Sequence, residues 1–177
     1  MSTTDGLTLL LGGARSGKSS LAVELGRRHD GPVTFIATLQ PFDDDLSQRV
    51  ARHRDERPDW PTVEAPVDLL DALRAAEGLA IVDCLTLWVN NLLHTGHTED
   101  EIEASAADAA EEAAGRRAPT VAVSNEVGLS VHPETELGRR YRDVLGRVNQ
   151  HWARHAHRTL LLVAGRAVRL EDPWTQL

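Results

Sequence analysis

"GGARSGKS", Gly12–Ser19, constrains this chain more than any other stretch. It matches G-x-x-x-x-G-K-[ST] and stands between an apolar run, "LTLLL" (Leu7–Leu11), and a segment that reads as a helix from about Lys18 to Arg28. A side chain at the glycine positions would keep the backbone away from a phosphate. Backbone N–H groups of such a loop, and of the helix start behind it, point at phosphate oxygens. A lysine there neutralises the β- and γ-phosphates, and the hydroxyl after it reaches Mg²⁺. Gly12, Gly13, Ala14, Arg15, Ser16, Gly17, Lys18 and Ser19 are therefore predicted to bind nucleotide, with Lys18 catalytic and Ser19 a metal ligand.

Composition sharpens the role of Lys18, which is the only lysine in the chain. Every other basic side chain is arginine or histidine. An ammonium is a compact point charge and a guanidinium a wide planar fork, so the two do not fit the same tight cradle.

Beyond the loop the chain alternates buried strands with helices. "VTFIAT" (Val33–Thr38), "TVEA" (Thr62–Ala65), "LAIVD" (Leu79–Asp83), "TVAVSN" (Thr120–Asn125) and "TLLLVA" (Thr159–Ala164) read as strands, with "AVRL" (Ala167–Leu170) as an edge strand. Helices are predicted from "DDDLSQRVARHRDE" to about Glu56, over Asp68–Ala76, over "LTLWVNNLL", over Glu99–Arg117 and over Glu134–His157. The Glu99–Arg117 segment is rich in alanine and glutamate and reads as polar on most faces, hence peripheral. Apolar strands alternating with helices give an α/β fold with a mainly parallel sheet. With 177 residues and no internal repeat or linker, residues 1–177 are expected to form one domain.

Several function classes are disfavoured. A net charge of −8 argues against a nucleic-acid duplex as main partner. No segment reads as a secretory signal, and the Leu7–Leu11 run is far too short for a membrane span. The single cysteine, Cys84, excludes an intramolecular disulfide, and a cytoplasmic protein is expected.

Two further residues carry chemistry. Asp83 ends the apolar strand "LAIVD", where an acid in a phosphate-loop fold holds Mg²⁺ directly or through water; the competing assignment is a cap for the following helix. His53 sits in "RVARHRDERPDW" among Arg49, Arg52, Arg54 and Arg57. A surface histidine on a basic face is the plain reading. Against it, Arg49 and His53 share one helical face, and nearby cations disfavour imidazolium, leaving a neutral ring able to attack a polyphosphate. "HTGH" and "HWARHAH" have ligand-like spacings, but without flanking glutamate or cysteine a zinc site is not favoured. Trp88, Trp152 and Trp174 read as packing residues.

Running in order through nearly the whole chain are "GGARSGKS", "FIAT", "RVARHRDERP", "TVEAP", "VDCLTLWVNNLL", "VSNEVGLSVHPE" and "GRRYRDVLGRVNQ". In these the chain resembles the bifunctional adenosylcobinamide kinase/adenosylcobinamide-phosphate guanylyltransferases of cobalamin biosynthesis. The first motif is shared by many NTPases; "NEVG", "GRVNQ" and the histidine segment are specific. The resemblance implies a RecA-like P-loop NTPase fold and two reactions. An NTP phosphorylates adenosylcobinamide; GMP then moves from GTP to that phosphate through a guanylylated histidine, releasing pyrophosphate. On the matching motifs, His53 falls on the guanylyl-accepting histidine. Ala37, Thr38, Leu39, Arg54, Asp55, Glu56, Arg57, Glu64 and Asp83 fall on further nucleotide contacts. Mg²⁺, ATP, GTP and a corrinoid acceptor are implied, as is a small homo-oligomer, a trimer being one candidate. Asp83 is a glutamate in some relatives, and Arg166 stands where a small or apolar residue is expected.

Rival readings are weaker. A GTPase switch needs a lysine in its guanine-reading motif, and none is left once Lys18 is used. A RecA-type motor would want a basic DNA-facing surface. A plain small-molecule kinase explains the loop and Asp83 but gives His53 no task.

Overall fold

The computed structural model describes residues 6–39 and 58–175. Within them a seven-stranded sheet runs β3-β2-β4-β5-β1-β6-β7. The first six strands are parallel and β7 is antiparallel to β6. In chain order the elements are β1 (Leu7–Gly12), α1 (Lys18–Arg27), β2 (Val33–Ala37), β3 (Thr62–Glu64), α2 (Leu69–Ala75), β4 (Leu79–Asp83), α3 (Leu85–His94), α4 (Glu99–Gly115), β5 (Thr120–Val123), α5 (Glu136–His155), β6 (Arg158–Val163) and β7 (Arg166–Leu170). A short 3₁₀ turn, Pro173–Thr175, follows.

Among the described residues, the two faces of the sheet are covered unequally. Alternating residues of each strand point to opposite sides. Leu10, Val33, Phe35, Leu79, Ile81, Val121 and Val123 form a core with Ala22 of α1. Leu7, Leu9, Ile36, Ala80, Val82 and Ala122 pack the other way, against α2, α3, α4 and α5. Because β1 is buried along its whole length, its near-continuous apolar sequence is what the centre of a parallel sheet requires.

Helix α4 departs from the sequence expectation. It buries Ile102, Ala106, Ala109, Ala110 and Ala113, a stripe of small side chains that lets it pack closely against its neighbours. Alanine scores as barely apolar, so the stripe reads as polar in sequence although it is core. Its start is fixed by a capping box in which Thr98 and Glu101 satisfy each other's backbone N–H groups. Glu99 binds Arg140 at 3.0 Å and Arg147 at 2.6 Å, and Glu103 pairs with Arg147, tying α4 to α5. Trp88 and Trp152 are fully buried as expected, but Trp174 is 78% exposed: the turn carrying it follows the edge strand and meets no core. β7 is exposed throughout, so Arg166 faces solvent there rather than a packed interior.

Candidate active site

Residue pairings across the parallel strands bring a row of side chains to one end of the sheet. Ala37 lies opposite Glu64 on β3 and opposite Asp83 on β4; Asp83 lies opposite Val123, and Val123 opposite Leu10. Paired residues of neighbouring strands point to the same side, so Glu64, Ala37 and Asp83 stand in line on the α1 face. All are at carboxyl ends, where open α/β sheets bind their ligands.

The loop between β1 and α1 occupies the same edge. Gly12 and Gly17 have φ of +150° and +100°. A Cβ on Gly12 would stand 2.3 Å from the Leu162 carbonyl oxygen and 2.8 Å from Ser16 Oγ, so only glycine fits. Lys18 begins the helix and is 6% exposed. Its Nζ donates to the carbonyls of Gly12 at 2.9 Å and Gly13 at 2.6 Å, and to Ser16 Oγ at 3.3 Å. Burial pulls its pKa below the usual lysine value, while the nearby groups of Cys84 and Asp83 oppose the fall. The loop is braced from β6–β7, where Gly165 N–H donates to the Ser16 carbonyl at 3.0 Å.

Ser19 Oγ and Asp83 Oδ1 are 3.5 Å apart. The cap position of α3 is Cys84, so Asp83 stands one residue before the helix's own cap. A hydroxyl and a carboxylate side by side are hard oxygen donors of the kind Mg²⁺ takes from protein, its remaining positions going to phosphates and water. The pair fits that ion.

Thr38 is fully buried and its polar groups are taken up within the fold. Its hydroxyl donates to Cys84 O at 2.7 Å and accepts from Cys84 N–H at 2.8 Å; its carbonyl accepts from Asn91 Nδ2 at 2.8 Å. It thus ties the end of β2 to the peptide following Asp83. Ala37 and Leu39 flank it at the same edge, half-buried. The Cys84 thiol is pushed up to about 12, by burial first and the Asp83 carboxylate second, so it stays protonated.

Sequence reasoning assigned no task to the segment after β5. Ser124 N–H donates to Leu10 O at 2.9 Å and Glu126 N–H to Gly12 O at 3.1 Å, carrying the segment alongside the phosphate loop. The signal was present in "NEVG", but nothing in the sequence says which strand it lies beside. His53, Arg54, Asp55, Glu56 and Arg57 lie outside the described residues. Of the histidines with ligand-like spacing, His97 Nδ1 contacts Leu92 O at 3.2 Å, His157 Nδ1 accepts from Leu7 N–H at 3.3 Å, and His151 stands 3.8 Å from Glu103.

A glycine-bounded loop, a buried lysine and a Ser–Asp pair on a parallel sheet mark a nucleotide-binding edge, and comparison with known proteins specifies which kind. Residues 8–170 match the family model described as cobinamide kinase / cobinamide phosphate guanyltransferase. The chain belongs to that family. It is 42% identical to the bifunctional adenosylcobalamin biosynthesis protein CobP of Pseudomonas aeruginosa, over 89% of this chain and 92% of that one. It is 38% identical to the bifunctional adenosylcobalamin biosynthesis protein CobU of Salmonella typhimurium, over 93% and 99% respectively. Among solved structures, a type III secretion ATPase of pathogenic bacteria superposes with a TM-score of 0.56 at 11% identity, over 90% of this chain and 51% of that one. An ATP synthase subunit from Nanoarcheaum equitans superposes with a TM-score of 0.50 at 9% identity, over 90% and 46%. At such identities the likeness concerns the fold alone, which is RecA-like, as the family resemblance implies.

Proposed function

We propose that this chain is a single-domain, cytoplasmic enzyme that phosphorylates adenosylcobinamide with an NTP and then transfers GMP from GTP to the resulting phosphate. The observation that carries the reading is the convergence of Ser19 and Asp83, 3.5 Å apart, beside the buried Lys18 in a member of the cobinamide kinase and guanyltransferase family. Lys18 exchanges its loop acceptors for β- and γ-phosphate oxygens, and the N–H groups of the loop orient the polyphosphate. Ser19 and Asp83 hold Mg²⁺, whose bound form neutralises charge on the phosphates. Ala37, Thr38, Leu39 and Glu64 contribute to nucleotide contact from the β2 and β3 ends; for Thr38 that contact is indirect, through the peptide it anchors.

For the second reaction, His53 is the nucleophile. Its neutral ring nitrogen attacks the α-phosphorus of GTP, pyrophosphate leaves, and the P–N bond so formed passes GMP to the corrinoid phosphate. One difficult displacement becomes two easier ones. Arg54 and Arg57 offset charge on the polyphosphate, and Asp55 and Glu56 complete the nucleotide contacts. The active form is a homo-oligomer, with a trimer one candidate.

Incubation with GTP labelled at the α-phosphate, without acceptor, tests this. The protein is expected to retain label that is acid-labile and base-stable, as a phosphoramidate is. His53→Ala is expected to lose label and guanylyl transfer while keeping substantial kinase activity. Label persisting in His53→Ala would move the nucleophile elsewhere; an unlabelled wild type that still phosphorylates the corrinoid would leave a plain kinase.

A further inference from the structure

Two buried polar side chains from different helices are spent on holding the backbone of one residue, Asn125. Thr86, in the first turn of α3, accepts the Asn125 N–H at 2.8 Å. Asn149 of α5 donates to the Asn125 carbonyl at 3.0 Å, and its own Oδ1 accepts from Ser124 Oγ at 2.6 Å. Thr86 is 7% exposed and Asn149 6%, so both would be costly to bury without these bonds. The held residue itself is different. The Asn125 carboxamide makes no hydrogen bond among the described residues, although its backbone is fixed on both sides.

The direction of that carboxamide follows from the strand. Val121 and Val123 pack on the α1 face and Ala122 on the other. Ser124 also points to the other face, toward α5, and the backbone bonds of Ser124 and Glu126 to β1 keep the segment extended. Alternation therefore returns Asn125 to the α1 face, one step beyond the Asp83–Val123 pair and between the strands that carry Lys18's loop and Asp83. A carboxamide there can donate to an anion without adding charge.

We propose that Asn125 donates a hydrogen bond to the terminal phosphoryl group of the donor nucleotide, holding it for transfer to the acceptor hydroxyl. Thr86 and Asn149 are positioning residues that aim it. The proposal rests on the kinase reading. A fixed neutral donor suits a transferring phosphoryl group because catalysis there is mostly placement and charge stabilisation.

The test measures kcat with adenosylcobinamide, and the dissociation constants of the donor triphosphate and its diphosphate, for wild type, Asn125→Ala and Asn125→Asp. Asn125→Ala is expected to lower kcat by about 10²-fold, with diphosphate affinity within about threefold of wild type. Asn125→Asp, nearly the same size, puts a carboxylate where the terminal phosphate sits. It is expected to weaken the triphosphate about tenfold more than the diphosphate. This ratio decides the matter even if the alanine variant folds poorly. Equal weakening of both nucleotides, or Asn125→Ala at wild-type kcat, would overturn the proposal alone. A wild type that moves no phosphoryl group from any NTP would overturn the kinase reading beneath it.

Discussion

Lys18 shows what a single residue type decides. Its ammonium meets three oxygens at 2.6–3.3 Å in a loop with 6% of the residue exposed. A guanidinium of the same charge is planar and cannot converge on that set. Lys18→Arg is therefore expected to lose at least about 10²-fold in phosphoryl transfer while circular dichroism stays unchanged. Near wild-type turnover would remove Lys18 from the mechanism. Lys18, Ser19 and Asp83 were all legible in the sequence, since each is fixed by its place next to an apolar strand end. Asn149 and Thr86 were not: their partner lies 24 and 39 residues away, and no local pattern announces a side chain whose bond closes only in the fold. Thr38 shows a third case, where the expected site position is occupied by a residue whose own hydroxyl serves the backbone of Cys84.

The central strands β1, β2, β4 and β5 were legible almost to the residue because each is a largely apolar, buried run. Helix α4 was misjudged because alanine carries the packing. Where elements join, one arginine does work that sequence hides. Arg116 donates to the carbonyls of Pro119 at 3.2 Å, Ala76 at 2.7 Å and Gly78 at 3.0 Å, and to Thr120 Oγ1 at 3.1 Å. It thereby fastens the ends of α2 and α4 to the starts of β4 and β5, and burial lowers its pKa. Arg116→Lys keeps the charge but not the fork, leaving carbonyls unpaired. A loss of about 2 kcal/mol is expected in urea unfolding, with the activities per folded molecule unchanged. A stability within experimental error of wild type would mean that the fork is replaceable by water.

At the scale of the molecule, the sheet extends past the helices found among the described residues. Val163 and Val168 lie on the side of the sheet that Leu161 shares with α5, yet are 62% and 61% exposed; Leu170 on the same side is 40% exposed. That strip is the surface on which the proposed homo-oligomer would bury apolar area. Val168→Glu is expected to reduce the mass measured by light scattering toward that of one chain. An unchanged assembly would place the contact elsewhere. The sequence suggested β7 as an edge strand, but not that its apolar side would stay uncovered, because that depends on how far α5 reaches. The strand order has a consequence of its own. β5 stands between the strand that feeds the phosphate loop and the strand that ends in Asp83, so those two strands are held about 9–10 Å apart by main-chain hydrogen bonds. That interval is a ruler cut in backbone, and no side-chain replacement within β5 resets it. Substitutions along the strand can therefore erode the lifetime of the fold while leaving each surviving molecule's chemistry at full calibre.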